Sequence, residues 1–281
     1  MSNAPSVSPV VALMGFPTDV NSSFLRGPAK APNEIRRALW SNAGNPFAES
    51  GINIKAPGLM NDFGDVRLHE EDDDRAAIEA AIDAQLSCNT RVLSLGGDHS
   101  ITYPIVRAYA KQFSSLSIVH FDAHPDLYHE FAGNRFSHAC SFARILQDTS
   151  VRQLVQIGIR TMSPPQQVVA DRHGVRVFGS SEVEQACDAL SNDPAFAPGV
   201  SHPEPGGLTV REVLAILKRI PGRVVGADVV ELNPEGRRSR HHCSCRREIC
   251  KRIHGADDRR CPVGRCGFEG RDGKREPASR G

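Results

Sequence analysis

Leu116-Ser117-Ile118-Val119-His120-Phe121-Asp122-Ala123-His124-Pro125-Asp126 decides how this chain is read. A short apolar run, of the length of a buried strand, passes without a break into acids and imidazoles. A similar junction lies upstream, where the run Val92–Leu95 meets Gly96-Gly97-Asp98-His99-Ser100. Working outward, Val10–Gly15, Leu154–Ile159, Val175–Phe178 and Val224–Val230 are further apolar runs bounded by turn residues, and they read as buried strands. Between several of them lie Asp72–Leu86, Ile101–Phe113 and Thr209–Arg219, whose apolar residues recur at helical steps. Strands alternating with helices predict an α/β fold with a doubly wound, mostly parallel sheet. Ligands of such sheets sit beyond the carboxyl ends of the strands, so the polar residues after each apolar run are the ones to inspect.

Asp122, His124 and Asp126 stand at alternate positions on the segment leaving a strand and can converge on one point. His99 offers a fourth ligand from the neighbouring strand end. Imidazole with carboxylates suits manganese or zinc, and a carboxylate-heavy set leans toward manganese. Gly96 and Gly97 are expected to let the backbone turn tightly and approach the metal. Other polar residues take plainer readings: His120 as a hydrogen-bonded core residue, His129 and Glu130 as pocket rim. Asp72-Asp73-Asp74 reads as a solvated helix start whose charges favour the helix dipole.

A lone Asp-x-His-x-Asp is as readily a solvated cluster as a metal site, but two such junctions at successive strand ends are far more specific. Together, Gly96-Gly97-Asp98-His99-Ser100 and Asp122-Ala123-His124-Pro125-Asp126 resemble the two signature blocks of the arginase/agmatinase (ureohydrolase) family, closest to plant-type arginases and their bacterial agmatinase-like relatives. The resemblance runs from about Val10 to Pro234 and takes in Asn21-Ser22-Ser23-Phe24, Asp62-Phe63-Gly64-Asp65-Val66, Ser137-His138-Ala139 and Asp228-Val229-Val230-Glu231-Leu232-Asn233-Pro234. It implies a three-layer α/β/α fold and a manganese-dependent hydrolase that releases urea from a small guanidino compound such as arginine or agmatine. It also implies that His99, Asp122, His124 and Asp126 ligate a pair of Mn2+ ions, with Asp122 bridging them. The ions would lower the pKa of a bridging water for attack on the guanidinium carbon, and Asp126 would orient it. His138 matches the family's proton-shuttling histidine and Glu231 the carboxylate that pairs with the substrate guanidinium. A homo-oligomer, trimer or hexamer, is implied as well.

Two features depart from the family. Its last metal ligands lie in a pattern Ser-x-Asp-x-Asp-x-x-Asp-Pro. Here Asp193-Pro194 remains, Leu190 occupies the second ligand position, and Asp188 falls in register with the first. Too few residues separate Phe178 from Asp193 to hold the helix and strand the family places there, so an internal deletion is inferred, the sheet is expected to be incomplete, and the match of Asp188 is read as accidental. Fewer bound ions and a catalytically impaired remnant form the alternative reading. After Pro234 the chain turns rich in Arg, Gly and Cys. Codons compatible with Arg246-Arg247-Glu248-Ile249-Cys250-Lys251-Arg252-Ile253 decode, one base later, as Ala-Ala-Lys-Phe-Val-Lys-Glu, which resembles the family's closing helix. A frameshift after Pro234 therefore explains the cysteines between Cys243 and Cys266 better than a zinc module, whose paired spacing they lack.

Residues 1–234 are thus expected to form one α/β domain and 235–281 a disordered tail. With 281 residues, 40% hydrophobic content and a net charge of +1, nothing points to nucleic acid. No apolar stretch approaches the ~20 residues of a membrane span, and no signal-peptide pattern opens the chain, so a cytoplasmic protein is expected.

Overall fold

The computed structural model describes residues 11–71, 73–179, 182, 191–192, 207–220 and 223–235. The strand β1 (Val11–Phe16) is buried at every position, as an uninterrupted apolar run on a two-faced sheet should be. Its alternate residues part company: Ala12, Met14 and Phe16 join one core cluster, while Val11 and Leu13 join another. On the first face they meet the helices α2 (Asp74–Ser87) and α3 (Thr102–Gln112), through Ile78, Ile82, Leu86, Ile105 and Tyr109. On the second they meet α1 (Ala31–Leu39), through Ile35 and Leu39. Period-two alternation of one strand between two helical layers is what makes the fold doubly wound and three-layered.

The remaining elements are β2 (Met60–Asp65), β3 (Arg91–Gly96), β4 (Ser117–Phe121), α4 (Ser141–Asp148), β5 (Gln153–Ile159), α5 (Pro164–His173), β6 (Arg176–Gly179), β7 (Ser191–Asn192), β8 (Gly207–Leu208), α6 (Val210–Leu217) and β9 (Gly226–Val229). Short 3-10 turns at Pro28–Lys30, His99–Ile101 and His138–Cys140 lead into α1, α3 and α4. The fold class read from the apolar runs holds, with parallel ladders joined by crossovers. α6 carries a full capping box, Thr209 and Glu212 each bonding the other's backbone amide.

The parallel strands fall into two sheets, β2-β1-β3-β9 and β4-β5-β6, with β7 and β8 forming a separate antiparallel pair. Among the described residues, β9 pairs only with β3, and β4 only with β5. A seam therefore separates β9 from β4. Exposure follows it: β3 is buried at five of its six positions, whereas Ile118 and Val119 of β4 are half-buried. Asp188, Leu190, Asp193 and the tail 236–281 lie outside the described residues, so the readings of a deletion and of an aberrant tail fall on segments of which nothing structural is said.

One local expectation is corrected. Asp74 is not solvated; it is buried and accepts from the backbone amides of His69, Glu70 and Glu71, which caps the turn before α2. Gly97 makes room for protein backbone, because a Cβ there would overlap the carbonyl oxygen of Thr18, and one on Gly96 would overlap Ile101.

Candidate metal centre

His99, Asp122, Asp126 and Glu231 all stand just past the carboxyl ends of parallel strands: His99 beyond β3, Asp122 and Asp126 beyond β4, Glu231 beyond β9. The pleat ends there and the chain is free to turn side chains inward. Asp126 and Glu231 pay for their placement with left-handed backbone, at φ 51° and φ 60°, a conformation uncommon for non-glycine residues that tends to persist where surrounding structure fixes it. The ring of Phe142, fully buried at the start of α4, packs under both His99 and His120, with centroids 5.5 and 4.1 Å away.

His99 Nδ1 lies 2.7 Å from Asp126 Oδ2 and 3.5 Å from Asp122 Oδ2. It is buried and, despite that closeness, forms no hydrogen bond. A buried nitrogen that lies close to two carboxylates without a hydrogen bond is disposed to share a cation with them. His99, His120, Asp122 and Asp126 each offer an atom within 4.8 Å of the others. His124 stands outside that group, on the other oxygen of the same carboxylate: its Nδ1 is 3.2 Å from Asp122 Oδ1, which also accepts from the His124 amide at 2.9 Å. The residues present therefore fit a divalent cation, with borderline and hard donors of the kind that take manganese or zinc.

Charge explains the protonation pattern. Burial alone would lower the His99 imidazole, but Asp126, Asp122 and Asp228 push it up to about 10. Burial would raise Asp122, but His120, His124 and His99 hold it well below the usual carboxylate range. The cluster thus demands positive charge, and in the absence of a cation a proton on His99 supplies it.

Beside this cluster sits a second pair. His138 Nδ1 is 3.0 Å from Glu231 Oε1, and the same oxygen accepts from the His99 amide at 2.9 Å. Although burial opposes it, the Glu231 charge raises His138; in return His138 and His99 hold Glu231 below its ordinary value against its own burial. On its far side His138 Nε2 meets Ser23 Oγ at 2.9 Å. His129 and Glu130, read as rim, are at the surface of the loop that follows.

Sequence reasoning missed Asp98. It is fully buried, accepts from the amides of Asn21 and Ser100 at 2.9 Å, and is pushed up to about 6 by burial and by the charge of Glu231. It ties the Asn21–Ser23 loop to the turn bearing His99. The available signal was its position, an acid directly before a helical turn, where a side-chain acceptor caps the first amides.

The arginase family model matches residues 10–244. This chain belongs to the arginase family. Over 252 residues it is 42% identical to arginase 1, mitochondrial, of Arabidopsis thaliana, covering 80% of this chain and 74% of that one. It is 33% identical to an N(1)-aminopropylagmatine ureohydrolase of Thermus thermophilus, across 83% of this chain and 86% of the other. Among solved structures, an arginase from Medicago truncatula superposes with a TM-score of 0.83 at 33% identity, covering 90% of this chain and 88% of its own. A proclavaminate amidino hydrolase from Streptomyces clavuligerus gives 0.75 at 30% identity, covering 89% and 92%. The relatives so named are hydrolases of guanidino C–N bonds. Among the described residues no helix is long and apolar enough to cross a membrane. Some plant relatives carry mitochondrial names, so the expected cytoplasmic location has no support from them.

Proposed function

We propose that this chain is, by lineage and by site, a manganese-dependent amidinohydrolase that splits urea from a small guanidino substrate. The observation that carries this reading is the convergence of His99 Nδ1, Asp122 and Asp126, brought together from the ends of β3 and β4 in two separate sheets, beside the His138–Glu231 pair. His99, Asp122 and Asp126 would hold one ion, and His124 with the outer oxygen of Asp122 faces where a second would be shared. When bound, the metal supplies Lewis acidity and an activated water nucleophile.

The chain's own groups do the rest. Glu231, held ionised, would pair with a guanidinium while its Oε1 faces His138 and the His99 amide. His138, whose hold on a proton is raised by that same carboxylate, would pass one to the departing amine. Asp126, 2.7 Å from His99 Nδ1, would hold the ion with it and help to orient the attacking water. Arginine, agmatine and aminopropylagmatine share the guanidinium that Glu231 would recognise; the loop Asn21–Phe24 and residues 128–135 would choose among their far ends. A homo-oligomer in the cytoplasm completes the reading.

A second reading is favoured by the seam between β9 and β4. If no carboxylate replaces the ligand whose position Leu190 occupies, the chain is a catalytically impaired member of the family. Urea release from each substrate, with bound manganese counted in the same sample, separates the two. Turnover with two ions supports the enzyme; no urea with one ion or none supports the impaired member.

A further inference from the structure

We infer that His120 is not a metal ligand but a positioning residue, locked by Gln156 as a hydrogen donor toward Asp122. The inference concerns the proposed metal centre and rests on that reading for its consequence, though not for its test.

His120 looks like a ligand. It is buried, its Nε2 forms no hydrogen bond, and that atom lies 3.5 Å from Asp122 Oδ2 within the group of four. What decides against ligation is the other ring nitrogen. The β4–β5 register sets Gln156 directly opposite His120, so the two side chains share a face. Gln156 is wholly buried; its Nε2 donates to the carbonyl oxygen of Pro125 at 2.7 Å and meets His120 Nδ1 at 3.1 Å.

A carbonyl can only accept, so the nitrogen of the Gln156 amide must face Pro125. Turning the amide over would set two carbonyl oxygens against each other in a dry interior, and its own Oε1 already lacks a partner. With that nitrogen fixed, the remaining amide hydrogen points at His120 Nδ1, which must therefore accept. A neutral imidazole carries one hydrogen, and it is forced onto Nε2. A protonated nitrogen has no lone pair for a metal. Three of the four clustered residues, His99, Asp122 and Asp126, are left to bind a cation, while the Nε2–H of His120 lies 3.5 Å from Asp122 Oδ2, close enough to act on its charge though it forms no hydrogen bond with it. A hydrogen donor behind a ligating carboxylate orients that ligand and tempers its charge, the office that outer groups commonly perform around metals.

The tautomer can be read without metal or turnover. Metal-free protein labelled with 15N histidine is observed by NMR at a pH where His120 is neutral, its resonance assigned by loss in His120→Gln. The expected result is hydrogen on Nε2, which persists when zinc is added as a diamagnetic probe. Gln156→Leu removes the donor, shifts the ring toward the Nδ1–H form, and weakens manganese binding by roughly 10- to 100-fold. Hydrogen on Nδ1 in the unaltered protein, or a zinc-ligated His120 Nε2, overturns the inference. If the unaltered protein binds no ion at all, the proposed function fails while the tautomer still tests the lock. Should Gln156→Leu not fold, the measurement on the unaltered chain decides alone.

Discussion

Replacing Asp19 tests how the turn leading into α1 is held. Its carboxylate is buried, accepts from the amides of Gly27 at 2.6 Å and Ala29 at 3.1 Å, and pairs with the half-exposed Arg26. Hydrogen bonds to a charged group contribute about 1.5–3 kcal/mol each when buried, whereas an ion pair with an exposed partner contributes under ~1 kcal/mol. Asp19→Ala, which orphans the buried Gly27 amide, should therefore cost roughly 3–4 kcal/mol, and Asp19→Asn, which keeps one acceptor, about 1–2 kcal/mol. Urea unfolding at neutral pH would show the Asn variant's midpoint lowered by ~0.5 M. The pH dependence gives the sharper check. Burial works to raise the carboxyl, but the two amides and Arg26 hold it below its ordinary value. A folded pKa below the unfolded one, ~3.9, gives stability that is complete above that value and is lost as pH falls through the folded pKa. The gap between the unaltered chain and Asp19→Asn should be widest at neutral pH and close below about pH 4. A gap that stays constant down to pH 3 would refute the reasoning, since it would mean that the charge contributes nothing.

Other perturbations bear on the same geometry. Gly97→Ala places a methyl against the Thr18 carbonyl, so it should lower the melting temperature sharply or abolish soluble expression, which a thermal scan decides. Glu231→Gln removes the charge that raises His138; the His138 imidazole should titrate at lower pH by NMR, and urea release, if present, should fall by at least tenfold. Phe142→Ala opens a cavity beneath His99 and His120 and should cost about 3–5 kcal/mol in chemical unfolding. Because a cation must displace the proton that Asp126 and its neighbours hold on His99, manganese affinity should rise with pH between 7 and 9, and calorimetry in buffers of different ionisation enthalpy should detect about one proton released per ion bound.

The strands that carry the site were legible because they are buried runs of apolar residues ended by acids and histidines; β1, β3, β4 and β5 all lie within a residue or two of the runs that announced them. What escaped notice has physical reasons. β2 reads Met-Asn-Asp-Phe-Gly-Asp, an edge strand exposed along most of its length and so without apolar pattern. α1 and α5 begin with proline in the first turn, which reads as a breaker unless the N1 position is considered. At the site, residue types and spacing indicated His99, Asp122 and Asp126 as a convergent set, but not that His124 would sit on the opposite oxygen of Asp122 while His120 came in behind it. That distinction depends on the Gln156 cross-strand partner, and pairing between strands far apart in sequence is not written in either strand alone.

The seam has a mechanical meaning. His99 belongs to the end of the four-stranded sheet, while Asp122 and Asp126 belong to the three-stranded one. An ion shared by them would fasten two slabs that no backbone ladder joins among the described residues. At a hundred times its dissociation constant such an ion stabilises the folded state by ~2.7 kcal/mol, added to the apolar core that the two sheets already share. Metal loading would then serve cohesion as well as chemistry: the ion-loaded protein should melt at a higher temperature than the stripped one.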